Sequence, residues 1–217
     1  LLCAAAAAAQ PVRVSVFGLF RPERLVVKPA QGSVIVVETD HEQFVLEGNR
    51  AAGLRLAGAE IDCFARGRLA GTRRVRVSAR GGGPAAFELQ VPGKIRRRYR
   101  GSLEVLPREG ALLALLGVDL DEAVAAAVAA ESPPGAPAEA LKAQAVAARS
   151  FYSASRPRHA GFDFCDTTHC QFLREPAPPE SPPRAAAEAT RGLVLDYRGA
   201  LVAALYSASC GGRTRTL

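Results

Sequence analysis

Two of the chain's five cysteines and two of its three histidines fall in the single segment HAGFDFCDTTHC, residues 159–170. The spacing His159-x5-Cys165-x3-His169-Cys170 combines thiolate and imidazole, the ligands that a tetrahedral zinc ion prefers. In an extended segment the adjacent His169 and Cys170 point opposite ways. The predicted metal set is therefore His159, Cys165 and Cys170, with a fourth position for water or a carboxylate. The same thiols could instead close a disulfide, Cys165 with Cys170 or either with Cys210, in a protein that is exported. Asp166 and the two threonines beside it read as loop-ordering residues. Lone Cys63 reads as a small buried hydrophobe and His41 as a surface histidine.

The elements that must position this segment follow from hydrophobic period and breakers. Asp119 to Glu131 is predicted helical, with acids at its positively polarised start and Pro133-Pro134 past its end. Leu120, Val124 and Val128 recur every four residues and Glu131 follows by three, so Glu131 shares the face that packs. A second helix is predicted over 138–153, with Pro137 near its first turn and Leu141, Ala145, Ala148 and Tyr152 as its core stripe. Before these helices the chain reads as short strands from Val12 to about Leu106, among them VRVSVFGL, SVIVVET and RRVRVSA, whose alternation is that of half-buried strands. After them, EPAPPESPP is a proline-rich surface loop or lid, and LVLDYRGALVAALY a hairpin turning at 197–199. The fold class is α+β: a β-rich N-terminal part over 11–110, then a helical core with a C-terminal hairpin over 111–217.

Three blocks in order, EALKAQAVAAR at 139–149, CDTTHCQ at 165–171 and YSASCGG at 206–212, resemble the sporulation stage II protein D family, also called SpoIID/LytB. The resemblance implies action on bacterial peptidoglycan as a lytic transglycosylase. It assigns the catalytic acid to the glutamate a short loop before the EALKAQA block, which here is Glu131. A carboxyl at a helix end meets the unfavourable pole of the helix dipole, which favours the protonated form that a general acid needs. Glu139, at a helix start, suits a cap better. One carboxyl suffices for this chemistry, so an unseen second acid is no objection. Tyr206, Ser207, Gly211 and Gly212 match the family's strand-end motif, and Gln144, Arg149 and Gln171 are candidate glycan-binding groups, Arg149 by pairing with Glu131 or a muramyl carboxylate. Some family members bind zinc near the active site and others do not. Others again are described as amidase enhancers, so the alternative is a non-catalytic wall-binding module with an amidase or other hydrolase as partner. In this chain Ser132-Pro133 stands where the family commonly has Met-Pro, and the family's homology continues past the CGG block, so the C-terminal end of the domain is expected to be missing.

Composition sets the remaining expectations. LLCAAAAAAQ, residues 1–10, reads as the remnant of a secretory signal peptide, which places the mature protein outside the cytoplasm, in periplasm or wall. No later stretch has the run of about 20 apolar residues that a membrane span needs. The net charge of +7 gathers between Arg66 and Arg108, including KIRRRYR. Without interleaved aromatics such a run lacks the stacking platform of a single-strand nucleic-acid binder. A carboxylate-rich wall is the polyanion expected, met by a face of Arg73, Arg74, Arg96, Arg97 and Arg98.

Overall fold

The computed structural model describes residues 2–4 and 11–206. In chain order the elements are β1 (Leu2–Ala4), β2 (Val12–Val16), a 3-10 turn (Gly18–Phe20), β3 (Arg24–Pro29), β4 (Val34–Glu38), β5 (Gln43–Glu47), β6 (Ala52–Ala57), β7 (Glu60–Ala65), β8 (Arg68–Thr72), β9 (Val75–Ala79), β10 (Ala85–Val91), β11 (Ile95–Arg108) and β12 (Ala111–Val118). Then come α1 (Leu120–Glu131), α2 (Ala138–Ala154), β13 (Phe164–Cys165), α3 (Pro182–Ala189), β14 (Leu193–Tyr197) and β15 (Ala200–Leu201). The class is α+β, as the sequence predicts. β1 pairs with β14, Leu2 opposite Leu195. The rest of the expected leader lies outside the described residues.

Twelve strands form one curled sheet. Its curl depends on β11. Residues 95–101 pair with β10, whereas 102–108 pair with β12 and 103–105 also with β9. The strand turns this corner at Gly101, where a Cβ would collide with the carbonyl oxygen of Gly117 on β12. Only a glycine admits that approach of one strand to the next. Residues 111–118, to which the sequence reading gives no element, form β12, a sheet strand held between β11 and β2.

KIRRRYR proves to be the start of β11, and the period of two sorts its side chains. Arg96, Arg98 and Arg100 are exposed, whereas Tyr99 is buried and Arg97 lies on the same inner face. Arg97 packs over the Phe17 ring at 5.5 Å and its Nη1 pairs with Asp166 at 3.2 Å. It does not belong to the outward basic face. Arg96 and Arg98 have carboxylate partners in Glu88 at 3.5 Å and Glu175 at 3.6 Å, and Arg73 has Glu60 at 3.9 Å. Arg74 shares Glu104 with Arg13 and Arg76. Much of the local positive charge is thus offset by paired acids.

α1 starts where Asp119 accepts from the backbone N–H groups of Asp121 and Glu122 and ends at Ser132. Its alanines and valines from Ala123 to Val128 are all buried. On α2 the stripe Leu141, Ala145, Ala148 and Tyr152 is buried as its spacing requires. β13 adds in parallel beside β2, Phe164 opposite Val14, and so carries the cysteine segment onto the sheet. A single hydrophobic core runs through both halves.

The proline-rich loop is pinned. Arg184 donates to both oxygens of Glu122 at 2.8 Å each and to the Ala177 carbonyl at 3.0 and 3.1 Å. The bonds from Arg184, opposed by burial, hold the Glu122 carboxyl below the usual glutamate range. A depressed folded-state pKa stabilises fully above the unfolded value, and that stabilisation is lost as pH falls through the folded value. Arg184→Gln should therefore cost about 1.5–3 kcal/mol near neutral pH, as hydrogen bonds to charged groups do. The difference from wild type should shrink in acid to the part owed to the pH-independent bonds to the Ala177 carbonyl. Urea melts at a series of pH values measure it, and a difference that stays constant down to strong acid would refute the linkage.

Candidate active site

Glu131 is the last residue of α1, half-buried at the mouth of a cavity of about 630 Å³. That size lies within the range of about 300–1,000 Å³ usual for ligand sites. The helix end places its carboxylate, and two donors fix it. The Phe172 backbone N–H reaches Oε1 at 3.0 Å, and the Tyr206 hydroxyl donates to Oε2 at 2.6 Å. Gln171 Nε2 donates in turn to the Tyr206 oxygen. Burial first, then the bond given to Glu131, raises the Tyr206 pKa above the ordinary tyrosine value, so it remains a phenol and a donor. Gln144 enters from α2, where its Oε1 accepts from Ser132 Oγ at 2.5 Å.

The structure thus brings Glu131, Gln144, Gln171 and Tyr206 to one cavity. Among the described residues that line it, Glu131 is the one carboxylate. Gln171 is buried, and its Oε1 has no hydrogen-bond partner among the described residues. A buried amide oxygen left unpaired is costly, which suits a position where a ligand N–H or O–H completes the bonding. Ser207, Gly211 and Gly212 lie outside the described residues, as does Cys210. The Phe172 N–H and Ser132 are additions that side-chain chemistry in the sequence could not signal, one being a backbone group and the other a helix cap.

Arg149 is corrected. It is 1% exposed, and its guanidinium bonds Asp121 Oδ1 at 3.0 and 3.2 Å, Thr190 Oγ1, and the carbonyls of Ala187 and Leu193. It does not line the cavity and it does not pair with Glu131. It ties α2 to α1, α3 and β14, a role that the EALKAQAVAAR block could not distinguish from ligand binding because both need a cation on that face.

The His/Cys segment adjoins the cavity. One ligand atom from each of His159, Cys165, His169 and Cys170 lies within 4.8 Å of the others. His159 Nε2 is 3.1 Å from Cys170 Sγ, and His169 Nδ1 is 3.4 Å from Cys170 Sγ and 3.7 Å from Cys165 Sγ. His169 thus joins the three residues that spacing picked out. The segment is not extended there: the Cys170 N–H bonds the Thr167 carbonyl at 3.0 Å and the His169 N–H bonds Thr167 Oγ1. This turn brings neighbouring side chains to one side. Zinc bonds of about 2.3 Å to sulfur and 2.0–2.1 Å to nitrogen would place tetrahedral ligand atoms about 3.4–3.8 Å apart. The donor set and spacings fit such an ion. Cys165 and Cys170 are both free thiols, not a disulfide. Burial, and after it the neighbouring His169, Arg158 and Arg108, lower the His159 pKa and favour the neutral imidazole that ligates metals.

The segment is anchored from the sheet side. Asp166 accepts from the Phe17 N–H at 3.1 Å as well as from Arg97, and its own N–H bonds the Ser15 carbonyl. Desolvation outweighs these bonds and raises its pKa. Cys170 lines the Glu131 cavity, and Phe172, two residues on, supplies the N–H to Glu131. One short segment therefore carries the cluster and half of the carboxylate's bonding.

Comparison with known proteins agrees with this arrangement. The SpoIID family, stage II sporulation protein, matches residues 108–197, which include Glu131, all three helices and the whole His/Cys cluster. Over this segment the chain is similar to the SpoIID family. SpoIID is a cell-wall-associated family linked with lytic activity. An uncharacterized protein of Brachyspira hyodysenteriae is 32% identical over 119 residues, covering 54% of this chain. The chain spans about a third of the length of that relative. No solved structure matches. No helix among the described residues is long and apolar enough to cross a membrane.

Proposed function

We propose that this SpoIID-like domain is a peptidoglycan lytic transglycosylase and that Glu131 is its acid and base. The observation that carries the reading is a lone carboxylate, held by two donors, in a cavity otherwise lined with amide, phenol, hydroxyl, thiol and apolar groups. Most glycosidases flank the bond with two carboxyl groups, one of which activates water or attacks the sugar. A transglycosylase needs one. Protonated Glu131 gives its proton to the bridging oxygen as the bond to muramyl C1 breaks. The muramyl C6 hydroxyl then closes on C1, and the Glu131 carboxylate takes the proton released. The products are a free N-acetylglucosamine end and a 1,6-anhydromuramyl end, and no water is consumed. Tyr206 and Gln171 would orient the carboxylate and the sugar, with the Gln171 oxygen suited to an N-acetyl N–H.

In the same reading zinc, held by His159, Cys165, His169 and Cys170, supplies structural cross-linking of the segment that leads to Phe172. The protein acts outside the cytoplasm, on glycan strands. Mass analysis of purified sacculi digested with the full chain tests the reaction. Anhydromuropeptides are expected. Sacculus binding without such products would instead favour the wall-binding amidase enhancer.

A further inference from the structure

His159 borders not only the cluster but also a second cavity, of about 260 Å³. Cys170, 3.1 Å from His159 Nε2, borders the Glu131 cavity. The His/Cys cluster is therefore the partition between two cavities. The smaller one lies where the halves of the molecule meet, with Arg21 and the β11–β12 turn on the sheet side and Phe162 on the other. Its floor includes the buried Leu112.

Two guanidinium groups are held at its rim. Arg21 Nη2 donates to the Glu109 carbonyl at 2.6 Å, and Arg108 Nη1 donates to the Ala160 carbonyl at 3.1 Å. Arg108 Nε also meets the Glu109 carboxylate at 3.4 Å, the one acid on the rim, itself largely exposed. An arginine has five N–H donors, so each retains donors beyond these bonds. Steering by backbone carbonyls reduces the side-chain freedom left to lose on binding. Two cations against one acid, over an apolar floor, suit a carboxylate borne on a short carbon substituent.

A glycan strand supplies such a group at a second place whenever it is held at the first, because its muramyl residues alternate along the chain and each bears a lactyl group. We propose that the Arg21/Arg108 cavity is a subsite for the carboxylate of a further muramyl residue on the strand whose scissile bond lies at Glu131. The inference rests on the glycan reading of the larger cavity. The carboxylate is either the lactyl group of a peptide-free strand or the terminus of a stem peptide.

Strand affinity measured on the full chain in a Glu131→Gln background, which prevents turnover, tests it. Arg21→Gln/Arg108→Gln should weaken binding about tenfold, the scale of one charge-assisted contact at a part-exposed site. Converting the muramyl carboxyls of a peptide-free strand to methylamides should weaken the unsubstituted arginines' binding by the same factor. It should add nothing in the double variant. This ligand-side arm needs no folded variant. Loss seen with peptide-bearing strands alone would assign the site to the peptide terminus. Affinity unchanged by both the arginine substitutions and the amidation would overturn the subsite and leave the glycan reading standing. If no strand binds at all, the glycan reading fails and the subsite with it.

Discussion

Glu131→Gln should abolish release of anhydromuropeptides and leave folding and sacculus binding intact. The amide is close in shape: its one oxygen can keep the bond from the Phe172 N–H, and its NH2 group, in the place of Oε2, can donate to the Tyr206 oxygen once that hydroxyl turns away. It cannot donate a proton to the bridging oxygen and retrieve one from the C6 hydroxyl. General acid–base catalysis by a positioned group contributes on the order of 100- to 10,000-fold, and the loss should fall in that range. Tyr206→Phe, by contrast, removes one donor and leaves the carboxylate, so it should reduce turnover by less than the loss of Glu131. A Glu131→Gln protein with wild-type turnover would remove Glu131 from the mechanism. Glu139 would not replace it readily: its side chain is 83% exposed and pairs with Lys142 at 2.7 Å.

Much of this arrangement is legible from local rules. Asp119 and the Pro133-Pro134 pair bracket α1, so the placement of Glu131 at a helix end follows from capping and breaker chemistry. The stripe Leu141–Tyr152 fixes the buried face of α2, and with it the side from which Gln144 reaches the cavity. What local rules miss has a physical cause in each case. The residues of β11 look like a solvated basic run because only alternation with Tyr99 turns Arg97 inward, and its partner Asp166 is remote in sequence. β12 is apolar enough to be read either as strand or as buried helix, and its pairing with β2 and β11 decides the matter. Arg149 carries the same charge whether it meets a sugar or Asp121. Cys165 and Cys170 could be paired or free by sequence alone, and the turn at Thr167 that gathers His169 to them depends on an ST-type bond no periodicity encodes.

Protein purified without reductant or chelator should carry close to one equivalent of zinc, and its thiols should become reactive only when the metal is withdrawn. The expectation follows from four ligand atoms within 4.8 Å, with free thiols of Cys165 and Cys170 among them. His159→Ala should lose most of the metal, because structural zinc sites are closed four-coordinate sets and one gap admits water. His169→Ala should do the same if the turn at Thr167 is maintained with metal bound. Reading His169 as a bystander predicts no effect there. A disulfide between Cys165 and Cys170 would give a different result: no metal, a mass two hydrogens lower, and indifference to both histidine substitutions. The consequence for catalysis separates structure from chemistry. Phe172 lies two residues beyond Cys170, so loss of metal should loosen the N–H that holds Glu131 Oε1 and lower turnover without new products. Re-addition of zinc to chelated wild type should restore it, and should fail to restore His159→Ala at the same zinc concentration. Full activity in metal-free protein with an ordered segment would remove zinc from the account and leave the Asp166 clamp, with its bonds to Phe17 and Arg97, as what holds the segment in place.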